Sequence, residues 1–574
     1  MSDFDASQRP TADFEPDDIR DQREADLAQR AQVGLLRNSA VMATGSIISR
    51  VTGILRNASL TAALGLTITA DAFALGNSLP DIVYVLVIGG ALNAIFVPQL
   101  VRRMKEDADG GQGYTDSLIS ATSVLLLIVT TASVLFAPLI VSLYATSEYT
   151  QGQVDLAVAF ARYCLPQIFF FGLYTMLSQV LNARGRFGMP MFAPIFNNLV
   201  AIATYVSFVV VFGAEVASDG ELSGGETAWL GVGTTAGIAA QALILVPVMM
   251  RSGYRFHFSR KWRGMGLGKA GRLAGWTIGL VAVTQAAFVV ITRLATAANV
   301  NAAEAGTPPA GLATYTNAYL VFMIPHGIVT VSLVTAQLPG LSRLIHEGHR
   351  RAAGRDVGHT MRLTAAAIAP LAGALLLGAQ PLAALLFNYG AGSAEQAAQL
   401  ASVISIFMVG LLPFTLYYVL QRGWYACEDT RTPFLFAVLM NVCFVAFALF
   451  LFPRAEPGGP QVQALALAYS VANIITFAVA WPALRNTLGF LDSGRTALAL
   501  LRIVPAVVIA MVLTTWVPLF NVFEPGDSKM TALVDLIVGS AVVVLGYLVL
   551  TWALRVAEVR ELLSWVGGVA RRSR

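Results

Sequence analysis

About fourteen apolar segments run through this chain of 574 residues, and Arg and Lys gather in every second gap between them. A helix needs roughly 20 apolar residues to cross a bilayer, so most of the chain is committed to membrane. The gap Arg102–Lys105 is basic, and the next, around Glu148, holds no cation. Arg184 and Arg186 follow, then the acidic, cation-free stretch Ala214–Thr227, then Arg251–Arg272 with seven cations. Arg343–Arg362, Arg422–Arg431, Arg485–Arg502 and Arg555–Arg574 continue the basic series. Ala297–Ala310 and Asn388–Ala397 have no Lys or Arg, and Pro453–Val462 and Asn521–Met530 have one each, Arg454 and Lys529. Short loops rich in Lys and Arg stay cytoplasmic. The alternation therefore predicts an all-α polytopic membrane protein with both termini in the cytoplasm.

Composition agrees. Hydrophobic residues make up 56% and charged residues 13%, against about 25% charged in soluble domains. Nothing suggests a nucleic-acid surface. No gap is long enough for a soluble catalytic domain, and there is no GxxxxGK[ST] phosphate loop, so the chain reads as a transporter and not an enzyme. No paired carboxylates, nucleophile motif or metal-ligand spacing stands out. Cys164, Cys427 and Cys443 are scattered and imply neither a disulfide framework nor a metal site. No cofactor is expected.

Residues 1–37 lack an apolar core and mix Asp and Glu with a few Arg, which predicts a disordered or partly helical cytoplasmic tail rather than a signal peptide. The expected organisation is an N-terminal lobe of six spans over 38–250, a C-terminal lobe of six over 273–484, an added pair over 499–555, and a basic tail at 556–574. A faint repeat supports two lobes. Tyr174, Pro190 and Asn198 recur with the same spacing as Tyr417, Pro433 and Asn441. Each set leads from one span through a basic turn into the next, in the same direction. That is a parallel repeat about an axis along the membrane normal.

Charges inside spans are costly and usually functional. The first span carries Arg50 and Arg56, and the second carries Asp71 and Asp81. At 1.5 Å per residue, Arg50 lies about 18 Å into its span and Arg56 about 27 Å. The second span runs back, so Asp71 matches Arg56 in depth and Asp81 matches Arg50. Ion pairs Arg56–Asp71 and Arg50–Asp81 are the structural expectation. Snorkelling to the far interface competes with it for Arg56 and Asp71. Arg293, in the first span of the second lobe, is expected to face the first span and share one cationic cavity with Arg50 and Arg56; it too could snorkel. Three guanidiniums suit a phosphate-bearing anion, because the planar fork donates two parallel hydrogen bonds. Gly53, Gly76 and Pro80 interrupt the two charged spans and are candidate hinges. His326 reads as a core histidine that could titrate.

Several stretches, in order, resemble the murein lipid II flippases (MviN/MurJ) of the multidrug/oligosaccharidyl-lipid/polysaccharide exporter superfamily. They are Ser49-Arg50-Val51-Thr52-Gly53-x-x-Arg56, Ala70-Asp71-Ala72-Phe73 with Leu79-Pro80, Phe96-Val97-Pro98, Arg184-Gly185-Arg186-Phe187 with Pro190 and Phe192-Ala193-Pro194, and Ile324-Pro325-His326-Gly327-Ile328 with Leu338-Pro339. The resemblance covers roughly residues 38–555. It implies two six-helix lobes around a central cavity, alternating access, and movement of undecaprenyl-pyrophosphate-linked disaccharide-pentapeptide (lipid II) to the outer leaflet of the bacterial cytoplasmic membrane. Arg50, Arg56 and Asp71 match charged positions of the family. Departures are Asn57, where many members have Asp, Tyr84 and Val85, where proteobacterial members have paired Arg, and Leu320, where many have Arg. Arg293 is the expected substitute for the missing charge.

Two other readings stay open. A cation-coupled multidrug or small-solute antiporter would have an acidic or apolar cavity. A non-transporting scaffold of the wall-synthesis machinery would dock partner proteins through residues 1–37. The expected partners are otherwise lipid II and membrane lipid, and the drive is the membrane potential or a coupling ion.

Overall fold

The computed structural model describes residues 44–86, 111–186, 188–214, 222–260, 267–517 and 528–572, with isolated positions at 103, 107, 109 and 216. The tail 1–37, the motif Phe96–Pro98, Phe187 and part of the basic loop after Arg260 lie outside them. Among the described residues every regular element is a helix.

The helices are α1 (44–64), α2 (Ile68–Tyr84), α3 (Gln112–Leu135), α4 (Gln151–Ala183), α5 (Gly188–Phe212), α6 (Gly224–Arg251) and α7 (Leu267–Ala305). Then come α8 (Leu312–His346), α9 (Arg350–Leu377), α10 (Ala394–Ala426), α11 (Arg431–Leu451), α12 (Gly459–Leu488), α13 (Ser493–Thr514), α14 (Lys529–Ala553) and α15 (Ala557–Arg572). Among the described residues, twelve helices are long and apolar enough to cross a membrane, and these are α3 to α14. The first two fall outside that count for physical reasons. α1 is diluted by Arg50, Arg56 and Asn57, and α2 has 17 described residues that include Asp71 and Asp81. They occupy the places of the first two of the fourteen expected spans.

Local chemistry sets the helix ends. Thr150 with Gln153 and Ser223 with Glu226 form reciprocal capping boxes at the starts of α4 and α6, satisfying backbone donors that a helix start leaves free. Ser393 and Ser528 cap α10 and α14. A π-helical turn, His326–Thr330, interrupts α8 directly after Pro325.

α5 packs on α6, α2 on the first half of α4, and α3 on the second half of α4. In the second half of the chain α10 and α12 pack most closely, flanked by α9, α11 and α8. α1 joins its lobe through Asn198 of α5, whose amide donates to the Ser49 carbonyl (3.0 Å) and to Thr52 Oγ1 (2.9 Å). The repeat partner Asn441 instead donates to the Ala437 carbonyl of its own helix (2.8 Å). The two triplets match in position and not in bonding. α13 and α14 pack on each other and on α9. Lys529 secures this pair, donating to the Ala384 (2.6 Å) and Asn388 (2.8 Å) carbonyls.

Candidate functional site between the lobes

The α1–α2 turn meets the second half of the chain at the cation-poor end of the bundle. Gly65 takes a left-handed φ of +64° there, which spares the turn a Cβ penalty. The Leu66 N–H donates to Gln396 Oε1 (3.0 Å), and the Ala391 N–H donates to the Ala62 carbonyl (2.9 Å). Asn299 of α7 donates to the Leu66 carbonyl (3.3 Å) and to Asp71 Oδ2 (3.1 Å).

Asp71 completes this seam. Its carboxylate is 0% exposed and accepts the Ala313 N–H at 2.7 Å. It caps the start of α8 from the other lobe, where free N–H groups and the helix dipole favour an anion. Gly311 is required beside it, since a Cβ there would run into the carboxylate. The expected Arg56–Asp71 ion pair is therefore not formed. The depths match, but Asp71 turns toward α7 and α8. Arg50 and Asp81 likewise form no ion pair, and Asp81 is exposed.

Arg56 points to the lobe boundary by another route. Its Nε and Nη2 donate to Asn57 Oδ1 (3.3 and 3.1 Å), and Asn57 Nδ2 donates to Asn317 Oδ1 of α8 (3.1 Å). Asn317 donates in turn to the Ala313 carbonyl (3.0 Å). An amide at position 57 accepts from the guanidinium and donates across the boundary; an aspartate could only accept.

Two adjoining cavities lie between α1 and α8. One, of about 190 Å³, is lined by Arg56, Asn57, Phe73, Asn77, Tyr205 and Asn317 among others. The second, of about 450 Å³, is lined by Arg50, Gly53, Asn57, Thr316, Tyr319 and Met323 among others. Asn57 and Thr316 border both. The guanidinium of Arg50 lies flat against Gly327 of α8, where any Cβ would displace it.

Beside Gly327, His326 is buried, its ring 4.7 Å from those of Phe414 and Tyr418. Its Nδ1 has no hydrogen-bond partner among the described residues. Arg422 stacks 4.2 Å above the Tyr418 ring, and its Nε is also buried and unpartnered among the described residues. Arg50 and Arg422 both lie within electrostatic reach of the His326 ring. The sequence reading missed Arg422 by assigning it to a basic loop. The signal was there, since Tyr418 and Tyr425 stand four before and three after it on one helix, the spacing at which side chains meet.

Arg293 is exposed on α7 and lines neither cavity. The structure thus brings Arg50 and Arg56 to adjoining cavities at one boundary. Gly76 sits where α2 and α4 cross. A Cβ there would lie 2.8 Å from the Ala161 nitrogen and from Phe160 Cβ, so Gly76 allows α2 and α4 to cross closely. Gly53 is open, its nearest neighbour being Asn198 Nδ2 at 3.7 Å. α2 runs through Pro80 and its backbone loosens into a π turn at positions 85 and 86.

Comparison with known proteins adds to this geometry. The family model described as "Lipid II flippase MurJ" matches residues 60–533. The chain is 27% identical over 454 residues to the probable lipid II flippase MurJ of Rhizobium meliloti, covering 78% of this chain and 81% of the relative. It is 28% identical over 412 residues to the lipid II flippase MurJ of Burkholderia cenocepacia, covering 71% and 76%. Among solved structures, a lipid II flippase MurJ in an inward closed conformation superposes with a TM-score of 0.69 at 18% identity, covering 90% of this chain and 99% of that one. An inward-facing multidrug resistance MATE family transporter of the MOP superfamily gives 0.60 at 15% identity, covering 77% and 96%.

Proposed function

Because the chain belongs to the MurJ family of lipid II flippases, we propose that it moves lipid II across the bacterial cytoplasmic membrane by alternating access, with the pyrophosphate held at the α1–α8 boundary. The observation that carries this reading is the placement of Arg50 and Arg56 on adjoining cavities between the lobes. Guanidiniums at a lobe boundary with no carboxylate partner among the described residues recruit an anion and not a drug cation, which disfavours the antiporter reading despite the shared fold.

Arg50 and Arg56 supply the bidentate donors, and Arg422 adds a third cation toward the basic end, with His326 between it and Arg50. The cation-poor end is the outer face, sealed by the Asp71 cap and the α1–α2 turn. The cavities fall within or below the range of about 300–1,000 Å³ typical of small-ligand sites. A disaccharide-pentapeptide headgroup therefore loads in a state where the lobes have parted at the basic end. Releasing the Asp71 cap opens the other side. The polyprenyl tail stays in lipid beside a gap between helices. An inside-negative potential is worth about 2.3 kcal/mol per charge per 100 mV. It favours outward movement of the anionic headgroup and inward return of an emptied cationic site. Coupling to an ion is the alternative drive. Both termini are cytoplasmic, and residues 1–37 are available to wall-synthesis proteins.

The test is complementation of a flippase-depleted strain, with membrane abundance and leaflet-resolved lipid-linked precursor measured together. Arg50→Ala and Arg56→Ala are expected to insert normally and fail to support growth, and Arg→Lys to rescue in part. Arg293→Ala is expected to be tolerated. Full complementation by abundant Arg50→Ala and Arg56→Ala proteins would refute the pyrophosphate role and favour the scaffold.

A further inference from the structure

We propose that the cleft between α9, α13 and α15 binds the phosphate headgroup of an anionic phospholipid, in the leaflet on the side of the C-terminus. The cleft has a volume of about 400 Å³. It lies outside the α1–α8 boundary, and the flippase reading makes no use of it.

Its inner wall is a closed ion-pair network. Arg362 of α9 is 8% exposed. Its Nε donates to Glu558 (2.6 Å), and its Nη1 donates to Asp492 (3.1 Å) and Thr496 (3.3 Å). His359 lies 3.3 Å from Glu561. These contacts engage the carboxylates nearest the cleft. They also dock α15 on the bundle.

The outer wall is cationic and lacks such partners. Arg495, Arg502 and Arg555 all line the cleft. Arg495 reaches Asp492 only at 4.0 Å, with its side chain 81% exposed. Arg502 and Arg555 form no ion pair among the described residues. Arg495 and Arg502 are seven positions apart, two turns along the same face of α13. Arg555 sits at the joint between α14 and α15 with φ +55°. This left-handed position after a helix is normally glycine's, and a side chain there is strained. That the joint carries arginine directs a third guanidinium at the cleft.

The remaining surroundings are those of lipid. Leu498 and Ala499 floor the cleft between the two α13 arginines. Leu501 is 72% exposed and Trp552, one turn before Arg555, is 68% exposed. Exposed tryptophan marks the headgroup level, and basic pockets between membrane helices at that level take lipid headgroups. A free phosphate would use the arginines alone. A phosphodiester with acyl chains uses the arginines, Leu498 and Leu501 together.

The experiment uses the purified full-length protein, with lipid added as phosphatidylglycerol, phosphatidylcholine or inorganic phosphate. The readouts are thermal unfolding and retained lipid by native mass spectrometry. Phosphatidylglycerol should bind and stabilise, and the other two should not. Arg502→Gln should weaken binding about fivefold, and the Arg495→Gln/Arg502→Gln/Arg555→Gln triple variant about a hundredfold. Unfolding of the lipid-free variants should stay unchanged, because the three arginines hold no close ion pair. Equal binding of phosphatidylcholine, equal stabilisation by inorganic phosphate, or undiminished phosphatidylglycerol binding by Arg502→Gln would each overturn the proposal. If the triple variant does not accumulate, the single variant decides. The readout is binding and not transport, so its failure leaves the flippase reading intact.

Discussion

Asp71 on α2 accepts the backbone N–H of Ala313 on α8 at 2.7 Å, across the lobe boundary and with both residues buried. The two residues are 242 positions apart in sequence. The contact ties one lobe's second helix to the first turn of the other lobe's second helix. It closes the cation-poor end together with Asn299 and the α1–α2 turn.

Removing that carboxylate should therefore release the seam. Asp71→Ala leaves the Ala313 N–H without an acceptor and the Asn299 amide with only the Leu66 carbonyl, and a buried donor left unpaired costs about 1–3 kcal/mol. Spin labels at Glu148→Cys and Glu395→Cys, one on each lobe at this end, should report a longer distance population in Asp71→Ala. Asp71→Asn keeps an acceptor oxygen and should fall between. An unchanged distance distribution in Asp71→Ala would show that the cap does not hold the end closed.

Gly76 and Gly53 should behave oppositely. Gly76→Ala places a methyl against the α4 backbone, and overpacking of this kind costs about 1–3 kcal/mol. Its thermal unfolding in detergent should shift down while Gly53→Ala unfolds as the parent does. A transport defect in Gly53→Ala without loss of stability would mark that position as the bending point of α1.

Arg362 should control the docking of α15. Arg362→Ala strands the carboxylates of Glu558 and Asp492 in a mostly buried site (side chains 13% and 14% exposed). Breaking one side of a buried pair costs about 3–5 kcal/mol. Amide exchange over residues 557–564 should accelerate strongly, with exchange in α10 and α12 unaffected. Protection of 557–564 equal to the parent's would rule out the clasp.

Topology has a direct check. With the three native cysteines replaced, Ser252→Cys should be labelled by an impermeant thiol reagent only after the cells are opened. Glu148→Cys should react on intact cells. The reverse pattern would invert the orientation drawn from the Lys and Arg alternation.

The bundle was legible in the sequence because insertion energy is a local sum. Each stretch of apolar residues pays its own way into the bilayer, and each basic loop stays out of it, independent of what the other spans do. The run of apolar spans and the interruption of the first two by charge followed from that. Depth alone misled for Asp71. Depth fixes how far along a helix a residue sits, and the direction it faces depends on how the helix is rotated and on what packs beside it. Asp71 and Arg56 share a level, yet it is Asn299 and the open start of α8 that lie within reach of the carboxylate. The close crossing at Gly76 was not legible either, since a glycine in a helix reads alike whether the helix bends or a neighbour crosses it closely.

The sequence by itself determined that this chain is a polytopic helical membrane protein with arginines in its first span, because hydrophobicity and charge act residue by residue along the chain. Only the tertiary structure decided which groups meet. The Asp71 cap on α8, the relay from Arg56 through Asn57 to Asn317, the contact of Arg50 with Gly327 and the Arg362 clasp on α15 all join segments far apart in sequence. Their partners are chosen by helix rotation and lobe docking, which the pattern of any single span does not contain.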